Sequence, residues 1–85
     1  MARSFSAWKS KATLRLLAMK TKYRDDPKVL QDIDVLITKL QYLKLRDLHS
    51  FLALVHEASK DAEEFLSILP SEEEVEEWFR EGGEE

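Results

Sequence analysis

The chain has 85 residues, of which 44% are hydrophobic and 35% charged, and its formal net charge is −4 at pH 7. A chain this short supports one hydrophobic core, and its composition is too apolar for a wholly disordered protein. The absence of cysteine excludes disulfides, thiolate metal sites and cysteine nucleophiles. No stretch reaches the ~18 apolar residues of a membrane span and no signal peptide is recognised, so we expect a soluble, intracellular protein, cytoplasmic or associated with the nucleoid.

Charge is distributed unevenly along the sequence. Residues 1–28 carry eight basic side chains and two acidic ones, whereas residues 57–85 carry twelve acidic side chains and two basic ones. Such an asymmetry indicates either that the two ends of the chain face each other or that they contact different partners. A third interpretation is that both ends form solvated helix faces, since surface charges contribute little to stability.

Apolar residues at steps of three and four predict a first helix over about residues 6–24. Its stripe comprises Phe5, Trp8, Ala12, Leu16, Met19 and Tyr23. Asp26 and Pro27 then predict the N-cap and the first position of a second helix. The stripe of this second helix runs through Val29, Ile33, Leu36, Leu40 and Leu43, widened by Leu30 and Ile37.

The third helix is indicated by a change of phase. No Gly or Pro interrupts residues 28–69, yet the apolar stripe shifts by two residues after Leu43. The shift predicts a turn near residues 43–47 and a third helix with Asp47 as its N-cap, ending before Pro70; a π-bulge in one continuous helix gives a similar shift. Its predicted stripe comprises Leu45, Leu48, Leu52, Val55, Ser59, Ala62, Leu66 and Leu69, with Phe51 and Phe65 adding aromatic rings.

A short fourth helix is predicted after Pro70. Ser71 and Glu74 have the spacing of a capping box, and Val75, Trp78 and Phe79 lie on one face of the helix that follows. The predicted fold class is therefore all-α: a small three-helix bundle, or a helical hairpin with an N-terminal basic helix, plus a short C-terminal helix. We divide the chain into a helical domain, residues 1–70, and an acidic C-terminal helix and tail, residues 71–85.

Residues that carry catalytic chemistry are scarce. His49 and His56 are seven residues apart, but two histidines without further ligands do not define a metal site. Both glycines follow the last predicted helix, so the sequence has no glycine-rich loop for phosphates. We expect no enzyme activity, no metal and no cofactor. The remaining catalytic alternative is a helical enzyme that binds a metal or another ligand through the two histidines.

The first helix is basic on both borders of its apolar stripe. Cations in such an arrangement predict contact with the phosphate backbone of DNA, and the candidates are Lys9, Lys11, Arg15, Lys20, Lys22 and Arg24. Dedicated nucleic-acid binders are strongly basic, whereas this chain is acidic as a whole. An acidic protein partner is the alternative. We expect no membrane contact, because the apolar stripe is needed for the bundle.

The C-terminal helix carries the spacing of a known binding peptide. Val75 follows Glu72 by three residues, and the aromatic pair Trp78 and Phe79 follows it by six and seven. This spacing resembles the PIP box, the peptide by which replication and repair proteins bind the ring-shaped sliding clamp. That peptide begins with glutamine, and a carboxylate at Glu72 cannot donate the hydrogen bonds of an amide. The resemblance implies that Glu72, Val75, Trp78 and Phe79 contact a larger protein, such as a sliding clamp or a polymerase.

The sequence thus predicts a non-catalytic accessory subunit of a larger assembly, in DNA replication or repair. This subunit docks through its C-terminal aromatic helix and its apolar helix faces. The alternative is a small regulatory or structural module that forms a homodimer and whose C-terminal helix closes its own core. The first hypothesis predicts that Trp78 contacts a partner, and the second predicts that it lies in the protein's own core.

Overall fold

A computed structural model describes residues 3–82, and every regular element within that range is helical. The four α-helices are α1 (Phe5–Lys22), α2 (Pro27–Gln41), α3 (Leu48–Ala58) and α4 (Glu72–Arg80). Two 3-10 segments, Leu45–Asp47 and Glu63–Ile68, lie before and after α3. The prediction of a small all-α bundle is confirmed for this part of the chain.

The first two helices begin where the sequence predicts. The Oγ of Ser4 accepts a hydrogen bond from the backbone N–H of Ala7 at 3.1 Å and caps α1. Asp26 caps α2 in the same way, through the N–H of Val29 at 3.4 Å, with Pro27 at the first helical position. Each cap satisfies a backbone donor that has no partner inside the helix.

The predicted turn between the second and third helices is confirmed. α2 ends at Gln41, and the 3-10 segment Leu45–Asp47 leads into α3. Asp47 occupies the N-cap position as predicted, but its side chain makes no capping hydrogen bond to a described residue. The turn interrupts a run of good helix formers at the point where the apolar stripe changes phase. This interruption allows α3 to fold back on α2.

The predicted third helix is too long. α3 ends at Ala58, and the chain turns before Ala62, whose φ of −156° is extended. The Oγ of Ser59 donates to the carbonyl oxygen of His56 at 2.6 Å, a local bond that competes with the helix. The 3-10 segment that follows is fixed by Trp8, whose Nε1 donates to the Ile68 carbonyl oxygen at 2.7 Å. Long-range packing therefore decides this boundary.

The core contains the predicted stripes of α1 and α2, apart from half-buried Tyr23, Leu30 and Ile37. Of the stripe predicted for the third helix, Leu45, Leu48, Val55 and Ala62 are buried together with Phe51 and Phe65, as predicted. Leu52, Ser59, Leu66 and Leu69 are half-buried, and Leu52 and Leu69 pack against the core. Ala58 and Ile68, which the predicted stripe omits, are buried as well. The buried residues from Leu48 to Phe65 keep steps of three and four, so the turn after Ala58 leaves that spacing unchanged.

The capping box that begins α4 is confirmed. The Oγ of Ser71 accepts from the N–H of Glu74 at 3.0 Å, and a Glu74 carboxylate oxygen accepts from the N–H of Ser71 at 2.9 Å. α4 places Trp78 in the same hydrophobic core as α1, α2 and α3. The C-terminal helix therefore packs on the segment predicted as a helical domain.

Candidate functional site

Trp78, the central residue of the clamp-like spacing, lies in the core. Its side chain is only 3% exposed, and its ring lies 5.3 Å from Phe5 and 5.6 Å from Trp8, measured between ring centroids. Its indole Nε1 donates a hydrogen bond to the backbone carbonyl oxygen of Arg3 at 2.7 Å. A buried tryptophan whose N–H has a partner contributes strongly to packing. In this conformation α4 closes the bundle.

Glu74 and Arg3 attach α4 to the segment that precedes α1. The Arg3 guanidinium donates to both carboxylate oxygens, from Nε at 2.8 Å and from Nη2 at 3.0 Å. These hydrogen bonds, together with those from the backbone N–H groups of Ser71 and Arg3, lower the pKa of Glu74 to about 2 against the opposing effect of burial. The capping-box spacing identified Glu74 in the sequence, but no local pattern identified its partner 71 residues away.

The other members of the clamp-like spacing lie in different surroundings. Glu72 is exposed and Val75 is half-buried. Phe79 is 42% exposed and stacks on His49 of α3 with ring centroids 5.5 Å apart. The two aromatic rings, which a clamp-binding peptide presents together, are therefore divided between the core and the surface.

Of the six predicted DNA-contact residues, three are bound within the molecule. Lys20 pairs with Asp34 at 3.0 Å, and Lys22 pairs with Glu64 at 2.7 Å. Lys9 donates to the carbonyl oxygen of Leu43 at 3.2 Å and lies over the ring of Phe5. The remaining three are exposed and form no ion pair within residues 3–82: Lys11, Arg15 and Arg24.

A groove between α2 and α3 is the feature that sequence reasoning missed. It consists of two adjoining open cavities of about 330 Å³ and about 410 Å³, and Leu54 of α3 lines both. Val35 of α2 and Tyr42, the C-cap of that helix, line one cavity each, and Tyr42 is 76% exposed. We name this feature the α2–α3 groove and define it by Lys28, Asp32, Val35, Thr38, Lys39, Tyr42, Asp47, Ser50, Leu54, Glu57 and Asp61.

The sequence contained a signal for this groove. Apart from Thr38, the groove residues from Lys28 to Tyr42 recur at steps of four and three, and so do those from Asp47 to Asp61, which is the spacing of one helix face. The apolar members of that face are separated by polar ones, so they do not form the continuous stripe by which a buried face is recognised. Because of this mixed composition, the apolar periodicity of the sequence did not predict the groove.

One end of the groove carries a cluster of charged groups. Lys28 Nζ lies 3.0 Å from an oxygen of Asp32 and 3.4 Å from an oxygen of Asp61. Burial raises the pKa of Asp32, and Asp61 beside it adds to the increase while Lys28 opposes it. The second oxygen of Asp32, Oδ2, is buried and has no hydrogen-bond partner among the described residues. This cluster ties α2 to the turn that follows α3.

The two histidines do not form a common site. His49 contacts Phe79, while His56 is exposed at the end of α3. Within residues 3–82 no three histidine, aspartate or glutamate side chains are placed to share a metal ion. In the same range, none of the helices combines the length and the apolar character needed to span a bilayer.

We compared the chain with family models, with curated proteins and with solved structures, and none of the three comparisons gave a match.

Proposed function

We propose that this protein is a non-catalytic interaction module that binds a helical segment of a larger protein in the α2–α3 groove. The observation that carries the proposal is the row of exposed apolar side chains, Val35, Leu54 and Tyr42, within two adjoining cavities. Covering these side chains removes apolar surface from water, which is the main driving force of protein association. A groove between two helices suits an amphipathic helix that inserts apolar side chains at steps of three and four.

The dimensions of the groove fit such a partner. One flank of the groove runs along α2 from Lys28 to the C-cap Tyr42, which corresponds to about 21 Å at the helical rise of 1.5 Å per residue. A bound helix of about four turns would therefore contact both cavities. Charged groups at the two ends, Lys28 with Asp61 and Lys39 with Asp47, would pair with charges that flank the apolar side chains of the bound helix.

Because Trp78 is buried, the α2–α3 groove is better supported than α4 as the docking surface. Docking through α4 would break the hydrogen bond to Arg3 and separate the Trp78 ring from Phe5. The α2–α3 groove is accessible without any such rearrangement. A role in DNA replication or repair depends on the resemblance of residues 72–79 alone and is a separate proposal.

A second copy of the chain is the alternative occupant of the groove. Each end of the groove carries both signs of charge, so two copies related by a twofold axis would bring opposite charges together. This is the dimeric module of the sequence analysis. In it, α4 closes the core and the apolar residues of α2 and α3 form the contact.

Site-specific crosslinking tests the proposal and separates it from the alternative. A photo-reactive amino acid at Tyr42 should crosslink in cells to a helical segment of one other protein, identified by mass spectrometry. The Leu54→Asp change, which places a charge between the cavities, should abolish that crosslink. Light scattering on the purified protein should give a mass near 9.9 kDa for a monomer and twice that for a dimer.

The control is the same photo-reactive residue at Ser67, which is exposed in the 3-10 segment outside the groove. A crosslink that forms equally from Ser67, or that survives Leu54→Asp, would contradict the proposal. A crosslink from Tyr42 to a second copy of the chain would establish the dimeric alternative.

A further inference from the structure

α1 has a second apolar stripe on the side that faces away from the core. Leu14 is 67% exposed and Leu17 is 47% exposed. Leu14 lies about 200° around the helix from buried Leu16, at 3.6 residues per turn. We name the solvent-facing side of the helix the outer face of α1 and define it by exposed Ala7, Ser10, Leu14, Leu17, Ala18 and Thr21.

The outer face has the composition of a helix-packing surface. Apart from Leu14 and Leu17, its residues are small: Ala7, Ser10, Ala18 and Thr21. Small side chains around a protruding leucine allow another helix to approach closely, with the leucine inserted between its ridges. This arrangement explains why α1 is less clearly amphipathic than α2 or α4, although its inner stripe is complete.

Cations border this face on one side. Lys11 and Arg15 are one helical turn apart, and neither forms an ion pair with any described residue. The hydrogen bond from Lys22 is the largest cause of the lowered pKa of Glu64, and the charge of Arg15 adds a smaller effect without an ion pair. Lys11 and Arg15 lie about 60° and about 100° around the helix from Leu14, on the side away from Leu17. The two positive charges are therefore at the border of the face nearest Leu14.

We propose that the outer face of α1 binds an acidic amphipathic helix of a partner protein. Apolar side chains of that helix cover Leu14 and Leu17, and its carboxylates pair with Lys11 and Arg15. Charge complementarity selects this partner, because an acidic flank is attracted to the two cations while a basic flank is repelled. The inference goes beyond the proposed function, since this surface is separate from the α2–α3 groove.

The composition of the face favours a protein over a nucleic acid or a membrane. Phosphate contacts are made by cations and polar donors, and the leucines at the centre of the face gain nothing from a phosphate backbone. Binding to a membrane surface requires a broad apolar face. Leu14 and Leu17 are the only large apolar side chains of this one.

Titration with designed peptides tests the inference. The probe is a labelled helical peptide of three heptads with leucine at the a and d positions and glutamate at the e and g positions. We expect the fluorescence anisotropy of the peptide to rise to a plateau as the full chain is added. Leu14→Ser should weaken the binding about tenfold. The double change Lys11→Glu with Arg15→Glu should abolish binding to the glutamate peptide. The doubly changed chain should instead bind the matched peptide that has lysine in place of glutamate.

Controls separate this surface from the groove and from general loss of structure. Leu54→Asp should leave the affinity for the glutamate peptide unchanged, whereas Leu14→Ser should leave any crosslink from Tyr42 unchanged. Leu14→Ser and the double charge reversal should keep the melting temperature of the original chain, because the altered side chains are exposed.

Three results would overturn the inference. The first is no saturation with the glutamate peptide up to about 1 mM. The second is binding that Leu14→Ser does not weaken. The third is that the original chain does not bind the peptide but binds duplex DNA or phosphatidylserine vesicles, and that the double charge reversal abolishes this binding.

Discussion

Trp78 and Arg3 are joined by a hydrogen bond of 2.7 Å from the indole Nε1 to the backbone carbonyl oxygen. The two residues are 75 positions apart, so this bond brings α4 against the residues that precede α1. The Arg3 side chain is in turn bound to Glu74, one turn before Trp78 on α4. Arg3 therefore holds α4 through its backbone and its side chain.

Replacing Trp78 with alanine should destabilise the protein strongly. The change removes a buried ring that contacts Phe5 and Trp8, which typically costs about 3 kcal/mol or more of the free energy of unfolding. For a domain of this size we expect the melting temperature to fall by more than about 10 °C. Thermal unfolding followed by circular dichroism measures the change.

Phe79→Ala is the matched control, because Phe79 is the adjacent aromatic residue and is 42% exposed. We expect it to cost less than about 1 kcal/mol. Equal melting temperatures for Trp78→Ala and the original chain would show that α4 does not close the core in solution.

Stability should fall in acid because of Glu74. Its pKa of about 2 in the folded protein lies below the ordinary value of 4.5. The unfolded chain therefore takes up the proton first as the pH falls, so the stabilising contribution is complete above pH 4.5 and is lost toward pH 2. Because Arg3 is partly solvated, we expect this contribution to be about 1 to 2 kcal/mol.

Urea unfolding of Glu74→Gln across that pH range measures the effect of Glu74. The variant should be less stable than the original chain at pH 7 and should approach it near pH 2. Glu73→Gln, at an exposed position of the same helical turn, is the control and should change little. Parallel pH profiles for Glu74→Gln and the original chain would contradict the assignment.

Asp32→Asn should stabilise the protein at neutral pH. The Oδ2 atom of Asp32 is buried without a hydrogen-bond partner in residues 3–82, and the carboxylate of Asp61 lies beside it. An amide removes the buried charge and donates to that carboxylate, so we expect a gain of about 0.5 to 1 kcal/mol at pH 7.

The pH dependence of this gain follows from the raised pKa of Asp32. Since the folded state holds this proton more tightly than the unfolded state, ionised Asp32 lowers stability as the pH rises above the ordinary value of 3.8. The gain from asparagine should therefore shrink in acid. Asp34→Asn, an exposed change on the same helix, is the control in thermal unfolding, and a lower melting temperature for Asp32→Asn at pH 7 would contradict the prediction.

The resemblance of residues 72–79 to a clamp-binding peptide predicts that a peptide of residues 70–82 binds a sliding clamp. The intact protein should bind the same clamp more weakly, because only the fraction of molecules with α4 released can present Trp78. Glu72→Gln should strengthen both interactions by restoring the amide. Isothermal titration calorimetry compares the affinities.

Phe79→Ala in the peptide is the control and should abolish binding to the clamp. Intact protein that binds as tightly as the peptide would show that α4 is already free. A peptide that does not bind would remove the basis for a role in replication or repair.

The sequence by itself determined the fold class, the starts of α1, α2 and α4, and the buried stripes of α1 and α2. These features depend on neighbouring residues: a cap such as Asp26 bonds to a backbone N–H three positions later, and a stripe follows the helical repeat. Local chemistry is therefore enough to predict them.

The tertiary structure decided the rest. α3 ends at Ala58 although no Gly or Pro stops it, and the chain then turns into the 3-10 segment whose Ile68 carbonyl oxygen accepts the hydrogen bond from Trp8. The same applies to the candidate sites, since the α2–α3 groove and the partners of Trp78 and Glu74 involve residues far apart in the chain. Burial is a property of the whole packed molecule, so the spacing of residues 72–79 could not show whether Trp78 faces a partner or the protein's own core.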